Sequence, residues 1–205
     1  ISVTYRTSGE IIFKDNTKLE LEDDFSWNGR YYVYGYGKFQ VSRTQLESAI
    51  TLAYDTYGTV VDSNSKLVWK RYRSTQASID GIVPVTSGDS IVNAVVAVSN
   101  YLGADFNAVS YMEQGHTAVE TFDNISGVHG ISLTGITYEK ALSYVGDGSP
   151  VIARIGEDEY IIITAYNSSE IAYIESSSGS VKTMSMNDAG KMFSQGGNIY
   201  VTYYK

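Results

Sequence analysis

The stretch that most constrains this chain is Ser90 to Gly103, which reads Ser-Ile-Val-Asn-Ala-Val-Val-Ala-Val-Ser-Asn-Tyr-Leu-Gly. Its apolar residues, Ile91, Val92, Ala94 to Val98, Tyr101 and Leu102, leave almost no polar face. A run of that length is long for a strand and ordinary for a helix. Gly103 supplies the left-handed residue that closes helices, and Ser87, Asp89 or Ser90 can cap the start. A helix apolar all round must be covered all round. The segment is therefore predicted to be the buried central helix of the larger of two units.

Beyond this helix the pattern is helical at first and changes character at Pro150. Short helices are predicted at 105–112, 117–122 and 138–145, with Val128-His129-Gly130 as a loop and a turn starting at Leu133. Five β-type runs come next, at 151–155, 160–166, 171–175, 181–184 and 199–203, joined by short turns and one helical turn at 187–193. Short joins imply antiparallel neighbours, and helices followed by an antiparallel sheet make an α+β domain.

The region before residue 80 has a different pattern. Residues 1–22 alternate with period two, as two or three antiparallel strands do. Tyr31 to Tyr36 and Lys38 to Val41 read as a hairpin. A helix capped by Ser42 or Thr44 should run to about Tyr57, with Leu46, Ala49, Ile50 and Ala53 inward, before short strands at 59–61 and 67–71. Polar residues 71–80 mark a boundary, with a linker near 72–86. The expected organisation is a small β-rich α+β module over 1–80 and a second domain over 81–205.

Charge supports the division. Residues 1–80 hold ten basic and ten acidic side chains, and residues 81–205 hold five and thirteen, which accounts for the whole net charge of -8. Such an acidic unit is a poor nucleic-acid binder. No apolar run reaches the roughly 18 residues of a membrane span, and the absence of cysteine removes disulfides and thiolate metal sites. No cofactor or metal is expected. The many Tyr, Ser, Thr and Asn and only two Pro give the composition a bacterial surface-protein flavour. A signal or anchor would lie outside this segment.

Three motifs carry a resemblance. Gly148-Ser149-Pro150-Val151-Ile152-Ala153, Tyr160-Ile161-Ile162-Ile163-Thr164-Ala165-Tyr166 and Tyr173-Ile174-Glu175 are similar to the C-terminal half of the bacteriocin-processing, C39-like cysteine peptidases. That family shows Gly-x-Pro-Val, then His-Tyr followed by an apolar run ending in Gly-Tyr, then an apolar strand ending in Asp-Pro. The resemblance spans roughly residues 82–205 and implies a papain-like fold, with a central buried helix against an antiparallel sheet.

The same resemblance implies a nucleophilic Cys at the start of the central helix, where Ser90 stands in Ser90-Ile91-Val92. The family's oxyanion-hole Gln has no counterpart in 83–89. Its catalytic His falls at Glu159, its orienting Asp at Glu175, and the Pro after that Asp at Ser176. A serine needs an adjacent base to be nucleophilic at neutral pH. A carboxylate with an ordinary pKa of about 4.3 is a poor one, and two carboxylates there repel. Ser90, Glu159 and Glu175 thus read as vestigial positions, and no catalytic residue is expected. The lead expectation is a non-catalytic, pseudopeptidase-like segment of a larger surface or secreted protein of a Gram-positive bacterium, acting in binding or assembly. The alternatives are a hydrolase using Ser90, or a glycan- or peptide-binding module.

Other features read as structural. His116 sits in a turn and helix cap, and His129 in the loop. Glu157-Asp158-Glu159 reads as a solvated hairpin turn. In the aromatic run of Trp27, Tyr31, Tyr32, Tyr34 and Tyr36, alternate residues share a side, so one of the two faces must be core.

Overall fold

The central helix forms where its composition demands cover. In the computed structural model, which describes residues 29–71 and 75–205 together with the backbone of three short strands β1 (Thr4–Tyr5), β2 (Ile11–Ile12) and β3 (Lys18–Leu19), helix α2 spans Ser90–Tyr101. Residues Asn93 to Ser99 are all buried. Gly103 has φ +77° and ends the helix as expected. The predicted start cap differs. Asp89 occupies the N-cap position without a side-chain bond, and Asn93 caps from inside the helix, its Oδ1 accepting from the Gly88 N–H at 2.8 Å.

The helix lies on one face of a seven-stranded, wholly antiparallel sheet. The strands are β8 (Ala77–Ser78), β9 (His129–Thr134), β10 (Val151–Arg154), β11 (Tyr160–Tyr166), β12 (Glu170–Glu175), β13 (Val181–Ser185) and β14 (Ile199–Tyr204). Their order is β13-β12-β11-β10-β14-β9, with β8 added to the end of β11. The period-two alternation of β11 sends Ile162 to the face covered by α2 and by α4 (Ala118–Asp123), against Val95, Val98, Phe122 and Val201. Ile161 and Ile163 point to the other face, under α5 (Tyr138–Gly146) and α6 (Met186–Gln195). A short helix α3 (Ala108–Glu113) precedes α4, which opens on a capping box between Thr117 and Glu120.

Several local expectations are corrected by the fold. His129 and Gly130 belong to strand β9, paired with Tyr204 and Tyr203, and are not a loop. Gly130 is needed there, because a Cβ would collide with the Val119 carbonyl of α4. The helical turn at 187–193 is a full helix, α6. The segment expected as linker contributes β8, and its Ile79 is buried, with its N–H on the Thr164 carbonyl at 2.8 Å.

The preceding residues form the sheet β5-β4-β6-β7, from β4 (Tyr31–Gly35), β5 (Lys38–Arg43), β6 (Thr59–Val61) and β7 (Leu67–Lys70), with α1 (Leu46–Asp55) across it. Gln45, not Ser42 or Thr44, is the N-cap of α1. Leu46, Ala49, Ile50 and Ala53 turn inward as their spacing requires. Tyr36 is 69% exposed with φ +50° in the turn after β4, so it does not share a strand face with Tyr32 and Tyr34. Trp27 lies outside the described residues, and the early strands expected over 1–22 are represented by β1, β2 and β3, paired antiparallel.

The core of this sheet is continuous with that of the larger one. Val33, Ile50, Val60 and Trp69 pack in one cluster with Leu133, Ile136, Leu142 and Tyr200. Among the described residues no helix is long and apolar enough to cross a membrane.

Candidate functional site

The first turn of α2, the start of β11 and the end of β12 meet at one place. Ser90 is the first residue of α2, and its hydroxyl faces the backbone of Tyr160, seventy residues away. Ser90 Oγ accepts from the Tyr160 N–H at 2.9 Å and donates to the Tyr160 carbonyl at 3.2 Å. That carbonyl also accepts from the Ser176 N–H at 3.3 Å. The Ser176 carbonyl in turn accepts from Asn93 Nδ2 at 3.0 Å, and the same amide nitrogen donates to the Gly88 carbonyl at 2.7 Å. Helix, strand end and the loop before the helix are thereby tied together by two side chains.

The ordering follows from the sequence. Asn93 is the polar interruption in an otherwise apolar run and is 1% exposed, so each of its polar atoms must find a partner. Both do: Oδ1 takes one N–H, and Nδ2 gives to two carbonyls. Ser90 sits where the helix has not yet begun to satisfy its neighbours, and it serves instead the first residue of a strand whose ladder starts beside it.

Glu159 and Glu175 come near Ser90 only through their backbone neighbours, Tyr160 and Ser176. Glu159 immediately precedes Tyr160, but its side chain is exposed and folds back toward Gly156. Glu175 immediately precedes Ser176 and stands opposite Ile161 across the β11–β12 ladder. Its Oε1 is 2.9 Å from Lys182 Nζ, and its Oε2 accepts from the Ser178 hydroxyl at 2.5 Å. The bond from Lys182, and then that from Ser178, hold the Glu175 carboxyl below the usual carboxylate range. Both contacts lead outward, to the β12–β13 hairpin.

Neither histidine is engaged at this place. The His116 ring stacks on Tyr111 at 3.8 Å. His129 Nε2 lies 2.8 Å from Lys66 Nζ, with its ring against Tyr204. Lys66 can only donate, so His129 Nε2 is the acceptor in that bond. The acidic turn Glu157-Asp158-Glu159 is exposed. Among the described residues no three His, Cys, Asp or Glu side chains gather closely enough to hold a metal ion.

Sequence reasoning missed Asn93 as the organiser of this corner. Its signal was available, since one amide in a helix with no polar face has to be bonded. It also missed Arg71, held between two tyrosine rings at the edge of another cleft; nothing local to Arg71 in the sequence announces that packing.

No protein-family model matches the chain, and neither does any curated protein. One solved structure is similar: a crystal structure from Bacillus anthracis described as that of a C39-like peptidase. The two superpose with a TM-score of 0.53 at 11% sequence identity, over 64% of this chain and 98% of that one. With its central helix and antiparallel sheet, the chain carries the α+β, papain-like fold of that C39-like protein.

Proposed function

We propose that residues 81–205 are a non-catalytic version of the C39-like architecture, and that the chain is a binding or assembly segment of a larger bacterial surface or secreted protein. The observation that supports the loss of catalysis is the state of Ser90. Its hydroxyl proton and a lone pair are both engaged by the Tyr160 backbone. A serine nucleophile instead needs its proton on a base, with that base within about 2.6–3.2 Å. The residue at the expected base position, Glu159, turns away to solvent, and both imidazoles have other partners. A non-catalytic fold that keeps its shape keeps a surface for binding, which is why binding or assembly is the reading that remains.

The test is incubation of the wild-type chain with a diverse peptide library, read by mass spectrometry beside Ser90→Ala. No cleavage is expected from either. Ser90→Ala should instead lower stability by about 1–2 kcal/mol, because it leaves the Tyr160 N–H without its partner. Cleavage by the wild type that vanishes in Ser90→Ala would make Ser90 a nucleophile and overturn the reading.

A further inference from the structure

A second cleft, of about 410 Å³, lies between the 29–71 unit and the larger sheet, away from Ser90. That volume suits a small ligand. Arg71, the residue after β7, forms one wall. Its guanidinium carbon stands 4.1 Å from the centre of the Tyr54 ring and 3.9 Å from that of Tyr57. Nη1 donates to the Tyr54 carbonyl at 2.7 Å. The head group is thus fixed by two aromatic faces and one hydrogen bond before any ligand arrives. No carboxylate among the described residues pairs with it. Of the five N–H donors a guanidinium carries, one is bonded to a described carbonyl, and the others meet no side-chain acceptor among the described residues.

A guanidinium whose orientation is already fixed is a receptor for a carboxylate, because its paired N–H groups match the two oxygens. The rest of the lining narrows the class. Tyr138, Tyr166, Ser143 and Ser168 are among the residues that line the cleft. Only Leu142 and Met186 are aliphatic. Ring faces with hydroxyl partners suit the C–H faces and hydroxyls of a sugar. An extended peptide would seek a strand edge, and the edge of β11 at Tyr166 is already taken by Ala77 of β8.

From these contacts we infer that the Arg71 cleft binds a carboxylate-bearing sugar, a uronic acid, with the carboxylate on Arg71 and the ring against the tyrosines. This goes beyond the non-catalytic reading and does not depend on it. Glu139, exposed at the same cleft, weakens such binding by its charge.

The test titrates the ¹⁵N-labelled 205-residue chain with D-glucuronate, D-glucose and acetyl-alanyl-alanine, following amide shifts. Glucuronate is expected to give saturable shifts around Arg71, Leu142, Ser143 and Tyr166, and glucose to bind at least about tenfold more weakly, as loss of a charge-assisted pair requires. Arg71→Lys should weaken glucuronate by about tenfold or more in a chain whose amide spectrum shows the fold retained, since an ammonium cannot supply the fork. Glu139→Gln should bind glucuronate as well as the wild type or better. No saturable shift, shifts at another surface, glucose binding equal to glucuronate, or equal or tighter binding of the acetylated dipeptide would each overturn the proposal. Should Arg71→Lys fail to fold, the wild-type shift map and Glu139→Gln decide, and weaker binding by Glu139→Gln would overturn it too.

Discussion

Glu175, where the sequence resemblance implies an orienting carboxylate, is engaged elsewhere: Lys182 and Ser178 take both of its oxygens. Their bonds favour the ionised form, so the folded-state pKa lies below the ordinary value of 4.5. The resulting stabilisation is fully present above about pH 4.5 and fades as pH falls through the depressed folded value. Glu175→Gln should therefore be less stable than the wild type at pH 7, by the modest amount that a largely exposed ion pair supplies. The two should converge in strongly acidic solution. Urea unfolding at a series of pH values checks this; a stability gap that does not change with pH would mean that the Glu175 charge contributes nothing. Ser90, Glu159 and Glu175 drew attention in the sequence only through the resemblance. What their side chains do was not legible there. The bonds that decide it join Ser90 to a residue seventy places away and Asn93 to one eighty-three away, and no local pattern encodes those pairs.

Helix α2 was legible at the scale of the element because its composition admits one solution. A segment with no polar face has to be enclosed, and α2 packs on the sheet beside α4, with α3 also against it. Strands β10, β11, β12 and β14 were legible for a similar reason: apolar runs of about five to seven residues between turn residues suit a sheet covered on both faces; the edge strand β13 is mostly exposed. Strand β9 was not legible. Gly130 and the polar Ser132 and Thr134 disguise an alternation in which only Ile131 and Leu133 are buried, and the demand for glycine comes from α4, which the local sequence does not reveal. The cost of misplacing a charge in α2 follows from its enclosure. Val95 is 0% exposed and packs among Val98, Phe122, Ile152 and Ile162. Val95→Asp would bury a carboxylate with no cation nearby, a penalty of several kcal/mol. That is comparable with the roughly 5–15 kcal/mol by which whole domains are stable. The variant should be unfolded at room temperature by circular dichroism, while Val95→Ala, which only leaves a cavity, should stay folded and lose about 2 kcal/mol. Wild-type stability in Val95→Asp would place this face of the helix in solvent.

For the whole molecule, the question is whether two sheets make one folding unit or two. Charge and sequence pattern change near residue 80, which argues for two. Against this, the two sheets share an apolar cluster in which Trp69 and Ile50 meet Leu133 and Leu142. Polar contacts reinforce it. Trp69 Nε1 donates to the Lys140 carbonyl at 3.0 Å, the Tyr204 hydroxyl donates to Asp62 at 3.1 Å, and Lys70 pairs with Asp147. Such a seam is more apolar than the interfaces across which domains move freely. We therefore expect a chain beginning at Thr75, which keeps β8 and the buried Ile79, to fold with the same sheet but to melt at a lower temperature than the full chain. A chain beginning at Ile82 loses that strand and should be less stable again. Dispersed amide spectra and thermal melts of the three chains are the measurement. An unfolded 75–205 would show that the shared cluster is a single cooperative core; a 75–205 as stable as the full chain would show that the seam contributes nothing, and that the first module is only tethered to the second.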